Sequence, residues 1–174
     1  VGELTFKIGK EVIDNIYTIE KNKLCDNIVD IYQNEGIILE PAGCLSVSGL
    51  DNIKQKIVGK NVVCILSGGN NDILRYNEIV EKSLIYRGLK HYFLIDFNQK
   101  PGQLKEFVND ILLEGIDITR FEYLKKTNKD TGSVLIGVEL NEKKQLEEII
   151  KNMHIHNYNY IKINENDLLY SYLI

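Results

Sequence analysis

Residues 90–163 switch between two hydrophobic periods in one fixed order, and that order limits the fold more than any other feature of the chain. His91–Phe97, with Tyr92, Leu94 and the aromatics around them, reads as a strand. Asn98-Gln99-Lys100-Pro101-Gly102 reads as a turn. Leu104, Phe107, Val108, Ile111 and Leu112 then fall on one helical face. Ile116–Lys126 is expected to be a strand, Asn128–Gly132 a hairpin turn and Val134–Leu140 the partner strand. Leu146, Ile149, Ile150 and Met153 mark a second helix, and Tyr158–Ile163 a last strand. The order βαββαβ predicts a ferredoxin-like unit.

The preceding half has a different texture. Leu4, Ile8 and Val12 predict an amphipathic helix over residues 3–14, and Leu24, Ile28, Ile31 and Tyr32 another, with Gly36 as its C-cap. Pro41 suits the first turn of a third helix carrying Leu45, Leu50, Ile53 and Ile57, because its missing N–H is unpaired there in any case. Residues 72–84 predict a fourth. A short strand is expected at Ile16–Ile19, and Ile37-Ile38-Leu39 is a brief apolar run. Val62-Val63-Cys64-Ile65-Leu66, five apolar residues between polar ones, predicts a strand buried on both faces, as in a parallel sheet. The fold expected is therefore α/β: part of an open parallel-sheet domain over residues 1–88, followed by the βαββαβ unit over 89–174. No low-complexity linker separates them, and no internal repeat is visible.

Composition narrows the class. With 174 residues, 44% hydrophobic and 26% charged, the chain fits one domain or two small ones with a real core. A net charge of −4 argues against non-specific nucleic-acid binding. No apolar run approaches the ~20 residues that span a bilayer, and no secretory segment opens the chain. Cys25, Cys44 and Cys64 lie among apolar residues at wide spacing. They are expected to be buried free thiols in a reducing cytoplasm. The chain starts at Val1 and its one methionine is Met153, so a piece of a longer protein is expected.

Two segments could carry chemistry. Ser67-Gly68-Gly69-Asn70-Asn71 follows the Val62–Leu66 run, at the carboxyl end of a strand, where ligands of open α/β sheets bind. Glycines let a ligand approach the backbone there, and Ser67 offers a hydroxyl; a plain turn is the competing reading. Gln99-Lys100-Pro101-Gly102-Gln103-Leu104 joins a strand to a helix whose N-terminal N–H groups can receive a carboxylate; here a turn shaped by Pro and Gly is the alternative. There is no GxGxxG and no P-loop. His154 and His156 form an H-x-H pair without a third ligand nearby and read as exposed polar residues. His91 reads as structural, Lys125, Lys126 and Lys129 as the solvated end of the hairpin, and Glu40-Pro41-Ala42-Gly43 as a helix start.

Taken together and in order, several segments carry a resemblance: Glu40-Pro41-Ala42-Gly43, Cys64-Ile65-Leu66-Ser67-Gly68-Gly69-Asn70, Gly88-Leu89-Lys90-His91-Tyr92-Phe93, Pro101-Gly102-Gln103-Leu104 and Ile118-Thr119-Arg120-Phe121-Glu122-Tyr123. Over essentially the whole chain they resemble the C-terminal part of biosynthetic threonine deaminase (threonine ammonia-lyase), in its shorter bacterial form with one ACT-like regulatory domain. The resemblance implies a fold-type II lyase that uses pyridoxal phosphate to convert L-threonine to 2-oxobutanoate and ammonia, the committed step of isoleucine synthesis. It implies that Ser67, with Gly68 and Gly69, faces the cofactor, Ser67 bonding the pyridine nitrogen. A neutral hydroxyl makes that ring a milder electron sink than a carboxylate would. Glu40 lies in the same neighbourhood. The family's Schiff-base lysine, in a Ser-x-Lys-x-Arg-Gly segment, and its glycine-rich phosphate loop have no counterpart here, so no catalytic residue is assigned and the chain alone is expected to be inactive.

For the second half the resemblance implies isoleucine, opposed by valine, as the effector. Pro101, Gly102, Gln103 and Leu104 would receive its carboxylate, and Phe121 and Tyr123 would face its side chain. Strand alternation places Phe121 and Tyr123 on one face and Ile118 on the other. A homo-oligomer is expected, since a partial sheet leaves apolar surface to cover. The competing readings are a stand-alone amino-acid sensor and another fold-type II enzyme, such as serine dehydratase or threonine synthase.

Overall fold

The computed structural model describes residues 2–70, 72–125 and 128–174. Expectations placed on Val1, Asn71 and Lys126 lie outside the described residues. The chain divides into two compact units, residues 1–82 and 83–174.

The second unit holds a four-stranded antiparallel sheet. Its strands are β1 (Lys90–Asn98), β2 (Asp117–Tyr123), β3 (Thr131–Glu139) and β4 (Tyr160–Lys162), in spatial order β2-β3-β1-β4. This is the expected βαββαβ unit, and the chain is of mixed α/β class. Phe93, Ile95 and Phe97 of β1 and Val134, Ile136 and Val138 of β3 alternate onto one face. There they meet Phe107 and Ile111 at the helix that follows β1, and Ile149 and Met153 of the helix that precedes β4. Each such side chain, fully buried, contributes roughly 1.5–3 kcal/mol of transfer free energy. Gly137 sits where a Cβ would lie 2.6 Å from the Tyr92 ring, so only glycine lets β1 and β3 pair with that ring between them.

The opposite face gathers Tyr92, Leu135 and Ile163, covered by Leu169, Tyr170 and Leu173 of a C-terminal helix, Asp167–Leu173, and by Ile85. That helix was not expected, although Asn166 caps it by accepting from Leu169 N–H at 3.0 Å. β4 is shorter than Tyr158–Ile163. Past Lys162, Asn164 takes over the pairing with its side chain: its Oδ1 accepts from Tyr92 N–H at 2.6 Å and its Nδ2 donates to Lys90 O at 3.2 Å.

The first unit is helical. Its elements are α1 (Glu3–Val12), α2 (Lys21–Glu35), α3 (Pro41–Ser48), the short α4 (Lys54–Ile57) and α5 (Tyr76–Tyr86), within which the division of units falls. The helices of the second unit continue the numbering as α6 (Gln103–Asp110), α7 (Lys144–Ile155) and α8 (Asp167–Leu173). Glu20 caps α2, accepting from Asn22 N–H at 2.8 Å and Lys23 N–H at 2.9 Å, and Gly36 closes it in the left-handed conformation at φ 68°. Pro41 opens α3 as expected.

The short strand expected at Ile16–Ile19, the apolar run Ile37–Leu39 and the parallel-sheet strand expected at Val62–Leu66 make no ladder among the described residues. Val63 is 88% and Ile65 75% exposed, against the expectation of burial on both faces. The physical reason is that a strand is completed by its neighbours. Here scattered bonds replace a ladder: Glu40 N–H to Gly68 O at 3.1 Å beside the 62–66 run, and side-chain bonds from Ser46 Oγ to Ile65 O at 2.8 Å, Asn52 Nδ2 to Thr18 O at 3.3 Å and Lys56 Nζ to Tyr17 OH at 3.1 Å. The core of this unit is small: Cys25, Ile28, Leu39, Cys44 and Ile79. All three cysteines are free; Cys25 and Cys44 are buried, and burial pushes both thiols up. Cys64 is only half-buried, because its own segment is unpaired.

Candidate functional site

In the first unit, Ser67-Gly68-Gly69 lies beside the start of α3, and two glycines make the approach possible. A Cβ on Gly43 would lie 1.9 Å from Ser67 O, and one on Gly68 would lie 1.9 Å from Glu40 Oε1. Gly68 also holds φ 78°, a conformation side-chain-bearing residues rarely adopt. Backbone 67–68 and the Glu40 carboxylate are thus packed against each other, with Ser67, Gly68 and Gly69 all exposed. Glu40 was read from the sequence as a helix start. Its contact with Gly68 arises from a pairing of segments 28 residues apart, which local pattern does not carry.

In the second unit, a cavity of about 320 Å³ opens where β1 ends, α6 begins and the chain turns from α7 into β4. Gly102, at φ 88° and with open space around it, turns the chain into α6 without a side-chain cap. The N–H groups of a helix's first turn have no partner within the helix, and they carry its positive dipole end. Gln103, the first residue of α6, is 7% exposed and lines the cavity. Its Nε2 donates to Tyr158 OH at 2.6 Å, and its buried Oε1 has no hydrogen-bond partner. Burial pushes the Tyr158 phenol up, the Gln103 bond opposes that, and the charges of Glu106 and Asp110 add to it.

Asp96, Glu106 and Asp110 put three carboxylates around this space. Lys100 pairs with Glu106 at 3.1 Å, and His156 Nδ1 stands 3.9 Å from Asp110. Of the residues singled out as effector contacts, Gln103 alone lines the cavity; Pro101, Gly102 and Leu104 are exposed beside it. Phe121 packs half-buried against the sheet core, and Tyr123 stands 6.3 Å from the Phe97 ring.

The face assignment on β2 needs correction. Ile118 pairs with Val138, Phe121 with Ile136 and Tyr123 with Val134, and the register shifts between Ile118 and Arg120. Directly paired residues share a face, so the extra residue at the shift brings Ile118 onto the side of Phe121 and Tyr123. The reading from the sequence also missed Asp96, Asp110 and Tyr158 as cavity residues. They come from three elements, and no spacing links them.

His154, at the end of α7, has Nε2 3.3 Å from Tyr160 OH, while His156 borders the cavity. Among the described residues no group of three potential metal ligands occurs. His91 is 6% exposed; its Nε2 contacts Gly88 O at 3.0 Å, its Nδ1 has no partner, and burial holds its pKa below the usual value. No helix among the described residues is long and apolar enough to cross a membrane.

The sequence of the second unit has known relatives. The pattern of the C-terminal regulatory domain of threonine dehydratase matches residues 81–173, more than half of the chain. The chain belongs to the threonine dehydratase family. L-threonine dehydratase biosynthetic IlvA of Staphylococcus aureus strain N315 is 49% identical over 174 residues, and the protein of the same description from Staphylococcus saprophyticus subsp. saprophyticus is 48% identical over 174 residues. Each alignment takes in 100% of this chain and 41% of the relative, so the chain spans about two-fifths of the length of these threonine dehydratases. The regulatory-domain match includes the cavity and the whole sheet. Ser67-Gly68-Gly69 lies outside that match and is covered by the alignments to the longer threonine dehydratases.

Proposed function

We propose that this chain is the C-terminal part of an L-threonine ammonia-lyase, in which residues 1–88 close a pyridoxal-phosphate-dependent catalytic domain and residues 89–174 form a regulatory domain that binds isoleucine, with valine opposing it. What carries the reading is that whole-chain identity to biosynthetic threonine dehydratases runs together with a cavity at the N-terminus of α6. The reaction would convert L-threonine to 2-oxobutanoate and ammonia in the cytoplasm.

The residues at 67–69 fit one wall of a pyridoxal phosphate site. Ser67 is exposed and its hydroxyl suits the pyridine nitrogen, while Gly68 and Gly69 keep side chains off the approach. When bound, that cofactor supplies an electron sink for breaking bonds at the amino acid's α-carbon. Ser67 would hold the ring by a neutral hydrogen bond, and Glu40, packed on Gly68, would keep the 67–69 backbone in place. The chain contains no Ser-x-Lys-x-Arg-Gly segment and no glycine-rich phosphate loop. By itself it is expected to be inactive and to show no cofactor absorbance band that borohydride reduces; such a band would overturn this part of the reading.

In the regulatory unit, the α6 N-terminus at Pro101, Gly102, Gln103 and Leu104 would take the effector carboxylate, with Phe121 and Tyr123 toward its side chain. Isothermal titration of the chain with isoleucine, valine and threonine tests this. The expected result is saturable binding of isoleucine and weaker binding of valine; no heat from any of the three would overturn it. Adding the N-terminal remainder of the protein should restore threonine turnover that isoleucine inhibits. Isoleucine binding without any restored turnover would make the chain a sensor instead.

A further inference from the structure

We infer that segment 163–174 is a detachable strap, which closes the second face of the sheet and, by sharing a footing with the end of α5, sets how firmly that end is seated. The inference is independent of which ligand the regulatory unit takes.

The segment leaves the sheet where β4 stops. Pairing of β4 with β1 runs from Tyr160 to Lys162. Past it, Asn164 holds β1 with its side-chain amide, through Tyr92 N–H and Lys90 O. The chain then turns across the second face as α8. A helix of 7 residues does not persist in water without packing, so α8 depends on what it covers. Leu169, Tyr170, Leu173 and Ile174 pack against the buried Tyr92, Leu135 and Ile163. On the outer side of α8, Leu168 is 65% and Tyr172 79% exposed. α8 is therefore seated by the side chains of one face, and it can lift without breaking a strand pair.

Tyr92, Leu135 and Ile163 also seat Ile85. Ile85 lies in the last turn of α5, which closes with Arg87 N–H to Ser83 O at 2.8 Å, Gly88 N–H to Ile85 O at 2.9 Å and Leu89 N–H to Leu84 O at 2.8 Å. Tyr92 is the centre of this footing. Its ring lies over Gly137, where a Cβ would come within 2.6 Å, and stands edge-on to the Tyr170 ring, with 6.2 Å between centroids. Lifting α8 takes Tyr170 off that ring and brings water to one side of the footing, so Ile85 loses part of the apolar contact that fixes it. The division of units falls within α5. A strap that tightens or loosens the end of α5 thus acts on the stretch of backbone that joins them.

The test is amide hydrogen exchange, read by NMR on the isotope-labelled full chain. Tyr170 and Ile174, whose N–H groups bond to Asn166 O and Tyr170 O, report on α8. They are expected to exchange at least roughly tenfold faster than the amides that pair β1 with β3, yet more slowly than an unstructured chain. Asn166→Ala removes an exposed cap, the acceptor of Leu169 N–H, and no buried contact. It should speed exchange at Tyr170 and Ile174 roughly fivefold, as loss of a helix N-cap does. Arg87, Gly88 and Leu89 should follow by at least roughly twofold, with the β1–β3 amides unchanged. Coupling between two sites is reciprocal, so Ile85→Ala should in turn speed exchange at Tyr170 and Ile174. Faster exchange in α8 with Arg87, Gly88 and Leu89 unmoved would make α8 a cover without hold on α5 and overturn the inference. Equal acceleration of the β1–β3 amides would also overturn it, since the segment would then open only with the whole unit. So would exchange at the rate of an unstructured chain at Tyr170 and Ile174 in the unchanged protein, because no strap would be seated. Ile85→Ala keeps the test decisive if the cap variant moves nothing: unaltered exchange at Tyr170 and Ile174 there would sink the shared footing.

Discussion

The two units use similar side chains to opposite effect. In the second, Phe93, Ile95, Phe97, Ile136 and Ile149 are each at most 2% exposed. In the first, Leu4 is 72%, Val12 68%, Ile16 81%, Val63 88% and Ile65 75% exposed. Hydropathy does not separate these sets; connectivity does. Residues 90–162 contain both members of every strand pair in their sheet, so the central strands β1 and β3 are paired on both sides and the face of Phe93, Ile95 and Phe97 is covered by the helices between the strands. The runs at 16–19, 37–39 and 62–66 are equally apolar but find no ladder. Apolar sequence creates a demand for burial, and topology decides where that demand is met.

The contrast breaks first at the second unit's core. Phe97 lies at 1% exposure among the rings of Phe107 at 5.1 Å and Tyr158 at 5.7 Å. Phe97→Ala should cost about 3–5 kcal/mol of that unit's stability, read as a fall in its urea midpoint, and the amides of β1 and β3 should lose most of their protection from hydrogen exchange. A cost under about 1 kcal/mol would mean that the packing there is looser than the geometry shows. Next is Gly137→Ala. Its Cβ would meet the Tyr92 ring at 2.6 Å and Thr119 Oγ1 at 3.0 Å. The expected cost is about 1–3 kcal/mol, since the ring must move within a packed face. Tyr92→Leu in the same background should recover part of it.

The ferredoxin-like unit was legible because its signal is local: periods of 2 and 3.6 follow each other in His91–Phe97, Leu104–Leu112 and Val134–Leu140. What was illegible depends on single insertions or distant neighbours. The shift between Ile118 and Arg120 flips Ile118 to the other face, yet one extra polar residue leaves the hydrophobic pattern unchanged. Asp96, Gln103, Asp110 and Tyr158 meet at the cavity from four places in the chain. The Pro101–Leu104 segment was visible as a strand-to-helix turn, but nothing in it announces that Gln103 is the buried member. Ser67 was visible for the opposite reason, standing where an apolar run stops. Its closeness to Glu40 follows from Gly43 and Gly68, which local sequence marks only as helix and turn residues.

A smaller effect separates the units by pH. His91, the second residue of β1, is 6% exposed, and burial lowers its pKa; the bond to Gly88 O opposes this, Lys162 adds to the lowering and Glu165 opposes it. The folded form therefore holds His91 neutral at a pH where the unfolded chain already binds a proton. The unfolded state binds more protons between the two pKa values, so stability rises with pH through that window. As pH falls below about 6.5, the ordinary histidine value, the second unit should lose stability, levelling off below the lowered folded pKa. His91→Gln keeps a donor for Gly88 O and cannot titrate, so its urea midpoint should vary less over the same range. An unchanged slope in that variant would assign the pH dependence to other groups.

The smallest expected effect is the sharpest check on the comparison. Val63 is 88% exposed in a segment with no ladder, so Val63→Ser replaces two methyl groups already in contact with water by one hydroxyl. It should change the stability of the dilute chain by less than about 0.5 kcal/mol, as exposed substitutions do. The same substitution at a strand buried on both faces would cost several-fold more, through lost transfer free energy and a buried hydroxyl. Measuring the unfolding midpoint at low and high protein concentration separates the cases. A negligible effect at both means that Val63 faces water in the free chain. A cost that appears only at high concentration means that a second copy covers the run, since association stabilises by mass action. A large cost at both concentrations would show that the 62–66 run is buried within the chain itself, and the contrast between the units would fall.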